Sequence, residues 1–346
     1  MCKSEAEGGQ LGVAHTRPRF DAARPTDESW WTAASEYAST SEGHTRLSSL
    51  ALQARSEGNP QWEEQLRAAI LRGESLREAN LEAVRLMKPS RPRTVPQEDI
   101  AHVTAQFGVA TEQVLRDHAI SHILAALTRM KHAKQLIFFG GTALSRTFLP
   151  TLRLSEDIDL ITRLPRADMA AEIEFAIRTG LSRSHGEATW STGLGETKGS
   201  EAAVLQVGKT IQIRIQLLSQ DGYPAWPTQE QSLIQRYSDA PEARLETLTP
   251  PAFVANKTAT WLDRKAPRDL YDLWALSQLG AINAEALALF EQHGPTGSRP
   301  RPWMFDEAPS QTAWQDSLDY QGQTRVSADQ ALRQVRDMWL AVSGES

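Results

Sequence analysis

Residues 136–161, LIFFGGTALSRTFLPTLRLSEDIDLI, constrain the fold of this chain more than any other stretch. Leu136, Ile137, Phe138 and Phe139 form an apolar run too short for a helix. Gly140 and Gly141 bound it, so it predicts a buried strand. Apolar spacing at Ala143, Leu144, Thr147 and Phe148 predicts a helix over 142–149, closed by Pro150. Residues 155–161 alternate as a half-buried strand does. The stretch reads as strand, glycine turn, helix, loop, strand.

The second strand carries the chemistry. Residues two apart on a strand point to the same face, so Asp157 and Asp159 stand side by side while Ile158 and Leu160 turn to the core. Two carboxylates that close repel unless a cation lies between them. Oxygen-only ligation suits Mg²⁺, with Mn²⁺ as the alternative. The glycine turn, at a helix start, offers backbone N–H groups to a phosphate. Gly-Gly alone is an ordinary turn, and Asp-x-Asp alone an ordinary solvated strand face. In this order and spacing they point to nucleotidyl transfer.

Gly140-Gly141-Thr142-Ala143-Leu144-Ser145, followed by Arg153-x-Ser155-Glu156-Asp157-Ile158-Asp159-Leu160, resembles the first motif of the AbiEii/AbiGii-type nucleotidyltransferases. That family includes the MenT toxins of bacterial toxin–antitoxin systems and belongs to the DNA polymerase β-like superfamily. A second stretch resembles its later motifs: Lys257 on one helix, then Arg268-Asp269-x-x-Asp272 opening the next, with Pro267 at the first turn. The resemblance runs over roughly residues 97–340. It implies metal at Asp157 and Asp159, with Lys257 and Asp269 completing the catalytic set. Gly140, Gly141, Thr142, Ser145, Arg153, Ser155, Lys257 and Arg268 would hold the nucleoside triphosphate. It also implies an RNA acceptor, with the tRNA 3′ end as target, and a cognate antitoxin encoded nearby. Arg268–Asp269 and Arg264–Asp272 could equally be ordinary helix salt bridges.

One departure stands out. Polymerase β-like transferases commonly carry a third carboxylate on a later strand. Here that candidate strand, IQIRIQL, offers Gln212, Arg214 and Gln216. The acid is then absent, or Asp269 supplies it. A small-molecule nucleotidyltransferase and a catalytically degenerate nucleotide- or RNA-binding protein are the alternative readings.

Charge and length set the remaining bounds. A net charge of −6, spread along the chain, leaves no basic tail. Local arginines at 146, 153, 163 and 166 could still suit a triphosphate or an RNA backbone. No apolar run approaches the ~20 residues of a membrane span. The first residues lack a signal-peptide core, and Cys2 is the single cysteine, so the expectation is a cytoplasmic protein with no membrane partner. The fold class is α/β (α+β): a small mixed sheet flanked by helices. The expected organisation is a disordered tail at 1–27, an accessory helical module at 28–88, a proline-rich linker at 89–96, a catalytic domain at 97–280 and a C-terminal helical subdomain at 281–346. Trp30 and Trp31 are assigned to the module's core. In the catalytic domain, Thr111 is expected to cap a helix carrying His118 and His122. These lie one turn apart, a possible metal pair. With no third ligand obvious nearby, the helix is expected to be structural.

Overall fold

The computed structural model describes residues 28–38, 41–87 and 95–344, the backbone alone at 28–30, 33, 36, 41–43 and 76–87. The expected tail and most of the proline-rich linker, with Cys2 and the Trp30 side chain, lie outside the described residues. Contacts divide the chain into two compact units, one up to residue 88 and one from 89.

The first unit is helical: α1 (Glu28–Ala38), α2 (Ser41–Ser56) and α3 (Pro60–Met87). The break at 58–60 is where the turn residues Gly58 and Pro60 put it. Apolar spacing at Trp62, Leu66, Ile70 and Leu71 and again from Leu76 to Met87 predicts two helices; residues 60–87 form one. Gly73 in its middle does not interrupt it. A Cβ there would sit 2.5 Å from that of Ala38, so the glycine lets α1 approach. The interior is built from small residues, Ala34, Ala38, Ala51, Ala54 and Ala69, around Leu47 and Leu66, with Trp31 and Trp62 half-buried against them.

The second unit opens with α4 (Gln97–Phe107) and α5 (Thr111–Thr128). Thr111 is the first residue of α5, not its cap; Ala110 holds that position and makes no side-chain cap bond. The sheet has seven strands: β1 (Leu136–Phe139), β2 (Ile158–Thr162), β3 (Ala188–Thr192), β4 (Ala202–Val207), β5 (Ile211–Ser219), β6 (Thr228–Leu233) and β7 (Ala243–Leu248), in the order β3-β4-β5-β2-β1-β7-β6. β1 runs antiparallel to β2, while β2–β5 and β1–β7 are parallel, so the sheet is mixed. Apolar alternation over 203–207 and 210–218 on either side of Gly208-Lys209 predicts a hairpin, and β4 and β5 form it. β3 lies within 182–200, where the Gly, Ser and Thr residues predict a loop or the rim of a hairpin, and it pairs antiparallel with β4. β6 and β7 were not expected: TQEQSL has a single apolar residue, Leu233, and ARLETL alternates over only six residues.

Between β1 and β2 lies α6 (Gly140–Arg146), which starts two residues before the expected helix and ends three before it. β2 starts at Ile158, so Asp157 is the residue entering the strand rather than part of it. The alternation holds: Ile158 and Leu160 are fully buried. α7 (Arg166–Leu181) packs on α5, β3 and β5. After the sheet come α8 (Pro250–Arg264), α9 (Pro267–Gln278), α10 (Ala284–His293), α11 (Gln311–Leu318) and α12 (Ala328–Ser343), the last capped by Ser327 as its sequence predicts. Their apolar faces, among them Trp261, Leu273, Phe290, Trp314 and Trp339, join the same core as the sheet.

Candidate active site

The glycine turn is built by close approach. Gly140 takes φ +77°, and a Cβ on it would lie 2.0 Å from Asp159 Oδ2. Only glycine meets both demands. At Gly141 a Cβ would lie 2.7 Å from Arg153 Nη2 and 3.0 Å from Ser155 Oγ. The two glycines thus bring the start of α6 against Asp159, Arg153 and Ser155.

A helical corner supplies the opposite wall. Thr249 caps α8, accepting from the Ala252 N–H, with Pro250 and Pro251 in the first turn. α8 ends at Lys265 in the left-handed conformation (φ 47°), its ammonium held by the Met304 carbonyl. Ala266 is extended, as a residue before proline must be, and Pro267 starts α9. This turn folds the first turns of α9 back on α8. Asp269 and Asp272 then meet Lys257, whose Nζ lies 2.9 Å from a carboxylate oxygen of each.

The buried charges form one chain. Arg153 grips Asp272 bidentately at 2.9 and 2.8 Å and also donates to Gln321 Oε1 at 2.7 Å. Arg264 donates to both oxygens of Asp269, at 2.7 and 3.1 Å. Burial works against ionising Asp269, but Lys257 and Arg264 outweigh it and hold the carboxyl at about 2. Burial likewise opposes the Lys257 charge, and Asp269 and Asp272 overcome it, so its pKa lies above the ordinary lysine value. The alternative pairing Arg264–Asp272 and Arg268–Asp269 does not form; the pairs are Arg264–Asp269 and Arg153–Asp272.

These elements enclose a cavity of about 410 Å³. Gly140, Gly141, Arg153, Ser155, Asp157, Asp159, Lys257, Arg268 and Asp269 all line it. Two expected members do not. Thr142 is buried and its hydroxyl donates to the Asp157 carbonyl, fixing the backbone that carries Asp157. Ser145 is buried beneath, its carbonyl and hydroxyl taken by Arg236. Arg146 is also absent from the cavity: it is fully buried, paired with Asp117 at 2.7 Å and donating to the Ile234 carbonyl. Arg163 and Arg166 bond elsewhere, to Lys134 and Thr228 and to Leu217 and Thr197. Of the four local arginines, only Arg153 lines the cavity.

The carboxylate pair is electrostatically the opposite of Asp269. Burial first, then the neighbouring Asp157, push Asp159 up to about 6, against the pull of Lys257 and Arg264. The cavity's ion pairs are spent on Asp269 and Asp272. Asp157 and Asp159 are therefore two crowded oxygen donors with no ion-pair partner among the described residues. β5 places Gln216 directly across from Asp159 in the parallel register, where a third carboxylate would stand. Asp269, saturated by two cations, is not a free donor in its place.

Several lining residues carry no sequence signal of their own. Tyr223, in the β5–β6 connection, accepts from Asn256 Nδ2 at 3.1 Å, and Ser200 sits in the β3–β4 loop. Thr260, Asp263 and Arg264 could be read from the face they share with Lys257 on α8, at three- and four-residue steps.

The family model described as Nucleotidyl transferase AbiEii toxin, Type IV TA system, matches residues 122–336. Among solved structures, MenT4, a nucleotidyltransferase toxin from Mycobacterium tuberculosis, is similar in fold. The TM-score is 0.53 at 18% identity, over 72% of this chain and 90% of that one. No curated protein matches the chain.

Proposed function

The chain belongs to the AbiEii family of nucleotidyl transferase toxins, and from that premise we propose that it transfers a nucleoside monophosphate from a nucleoside triphosphate to the 3′ end of a tRNA. Membership makes it a nucleotidyltransferase of a type IV toxin–antitoxin system, with a nucleoside triphosphate as substrate and a cognate antitoxin. The RNA acceptor, the tRNA end and an antitoxin encoded nearby are our reading. So is a cytoplasmic location; among the described residues no helix is long and apolar enough to cross a membrane.

The observation that carries the reading is the adjacent pair Asp157 and Asp159, without an ion-pair partner among the described residues, facing Lys257, Arg264 and Arg268 across a cavity that Asp263 also lines. The donor set, hard oxygens from Asp157 and Asp159, fits Mg²⁺ or Mn²⁺. The upward push on Asp159 is the strain that such a cation relieves. A divalent ion bound there would neutralise phosphate charge and sharpen the attacking hydroxyl.

The chain's own groups do the rest. Arg268 lines the cavity with no ion-pair partner among the described residues, so it is open to a phosphate oxygen. Ser155 and the turn at Gly140 and Gly141 face the same space. Lys257 is held in place by Asp269 and Asp272 and presents a fixed positive charge. In the reaction the acceptor hydroxyl oxygen bonds to the α-phosphorus. The bond from that phosphorus to the bridging oxygen breaks, and pyrophosphate leaves with the electron pair. The hydroxyl proton passes to an ionised carboxylate or to water.

Incubating the protein with Mg²⁺, each labelled nucleoside triphosphate and total bacterial RNA tests this. Label in a tRNA-sized band is expected. Label appearing only on small molecules would replace the acceptor, and no label with any nucleotide would overturn the transfer.

A further inference from the structure

We propose a second cation site in this protein, distinct from the cavity, in which His118, His122 and Asp239 hold a zinc ion. It goes beyond the transferase reading and does not rest on it. His118 and His122 lie one turn apart on the inner face of α5, 0% and 8% exposed. The missing third ligand comes from far along the sequence: Asp239, in the connection between β6 and β7. Ligand atoms of the three side chains lie within 4.8 Å of one another.

The hydrogen bonding points to a cation. His118 Nε2 is 3.0 Å from Asp239 Oδ1. His122 Nε2 lies 3.5 Å from Asp239 Oδ2, yet is buried with no hydrogen-bond partner among the described residues. A tetrahedral zinc shell puts neighbouring ligand atoms roughly 3.3 Å apart; the two His–Asp239 spacings, 3.0 and 3.5 Å, are close to that, and the two imidazoles would have to draw together from a spacing of up to 4.8 Å. The far side of His118 is already oriented. Its Nδ1 lies 2.9 Å from His185 Nε2, and His185 Nδ1 lies 2.8 Å from Ser184 Oγ. With Nδ1–H donating to His185, a metal would replace the proton that His118 Nε2 now donates to Asp239, and Nε2 would offer its lone pair to the ion. This is how ligating imidazoles are commonly fixed by a partner behind them. His185 is thus a positioning residue.

Two imidazoles and one carboxylate suit Zn²⁺ better than the hard, oxygen-seeking Mg²⁺. Three protein ligands leave the fourth position to water, entering beside the partly exposed Asp239. The site would tie α5 to the β6–β7 connection. That connection also carries Tyr237, whose hydroxyl donates to Asp117 Oδ2, and Arg236, which donates to the Ser145 carbonyl beneath α6. Zinc here would therefore stiffen the support of the glycine turn.

The test uses the full chain without a histidine tag, stripped by chelator and dialysed against zinc. Metal is counted by plasma mass spectrometry and folding checked by circular dichroism. The expected result is one equivalent of zinc per wild-type chain, a raised Tm, and visible d–d absorption when cobalt replaces zinc. Folded Asp239→Asn and His122→Phe should both lose the zinc, and Asp157→Ala should keep it. A folded wild type that retains no zinc, equal retention in either ligand variant, or loss of zinc in Asp157→Ala would each overturn the proposal.

Discussion

Asp159 ties stability to function with a sign that can be worked out. Its folded pKa, about 6, lies above the ordinary 3.8. Between those values the unfolded chain has already released the proton that the folded chain retains. Stability from this group is therefore present below pH 3.8 and lost as pH rises through 6. At neutral pH the carboxylate pair destabilises the metal-free protein. Asp159→Asn should stabilise the metal-free protein by on the order of 1 kcal/mol after discounting for partial exposure, and so raise its Tm, while removing transfer. Thermal melts at pH 4.5 and 7.5 check this; a lower Tm for the variant at pH 7.5 contradicts it. Gly140→Ala carries the opposite risk. Its Cβ meets Asp159 within 2.0 Å at a positive φ, so a loss of roughly 1–3 kcal/mol is expected, with activity lost too, as read by denaturant melts and transfer assays.

The site residues read best from sequence were those whose spacing is local. Gly-Gly and Asp-x-Asp announce themselves because turn and strand geometry fix their neighbours within a few positions. Thr142 and Ser145 belong to the same motif, yet the helix turns them inward, and their hydroxyls hold backbone and Arg236 rather than nucleotide. Asp239 and Gln321 were illegible, since they arrive by tertiary folding from other parts of the chain.

Among the elements, α6 depends most on a buried charge. Arg146 at its end is fully buried, and burial pushes its pKa down to about 10, although Asp117 opposes the fall. Removing Asp117 would leave that guanidinium uncompensated, at about 3–5 kcal/mol. Asp117→Ala should lower stability by that order, and denaturant titration would show it; a loss below about 1 kcal/mol contradicts the role. The α8–α9 corner was legible from Pro267, whereas the start of α8 at Pro250 under the Thr249 cap was not. β6 was not legible either, because TQEQSL has one apolar residue, Leu233, and so no alternation to read, and β7, ARLETL, alternates over only six residues. The strand expected over 210–218 forms at 211–219, and it carries no acid opposite the pair: Gln216 stands across from Asp159.

The separation into two compact units has its own consequence. All residues lining the cavity lie between 139 and 269, and the family match lies within 122–336. A chain beginning at residue 95 should therefore fold with a circular dichroism spectrum and melt of its own and keep transfer activity within about an order of magnitude. Loss of folding on that truncation would place part of the core in the first unit. The accessory module showed no catalytic pattern in sequence, and its described core is small residues and tryptophans, as packing alone requires.

The most direct measurement is transfer by Asp157→Ala. The purified variant, shown folded by its melt, is incubated with Mg²⁺, labelled nucleoside triphosphates and bacterial RNA beside the wild type. If the unpaired carboxylates hold the catalytic cation, label reaches RNA with the wild type and falls by three orders of magnitude or more (~4 kcal/mol) with the variant. Label within tenfold of wild type would contradict the assignment of the active site.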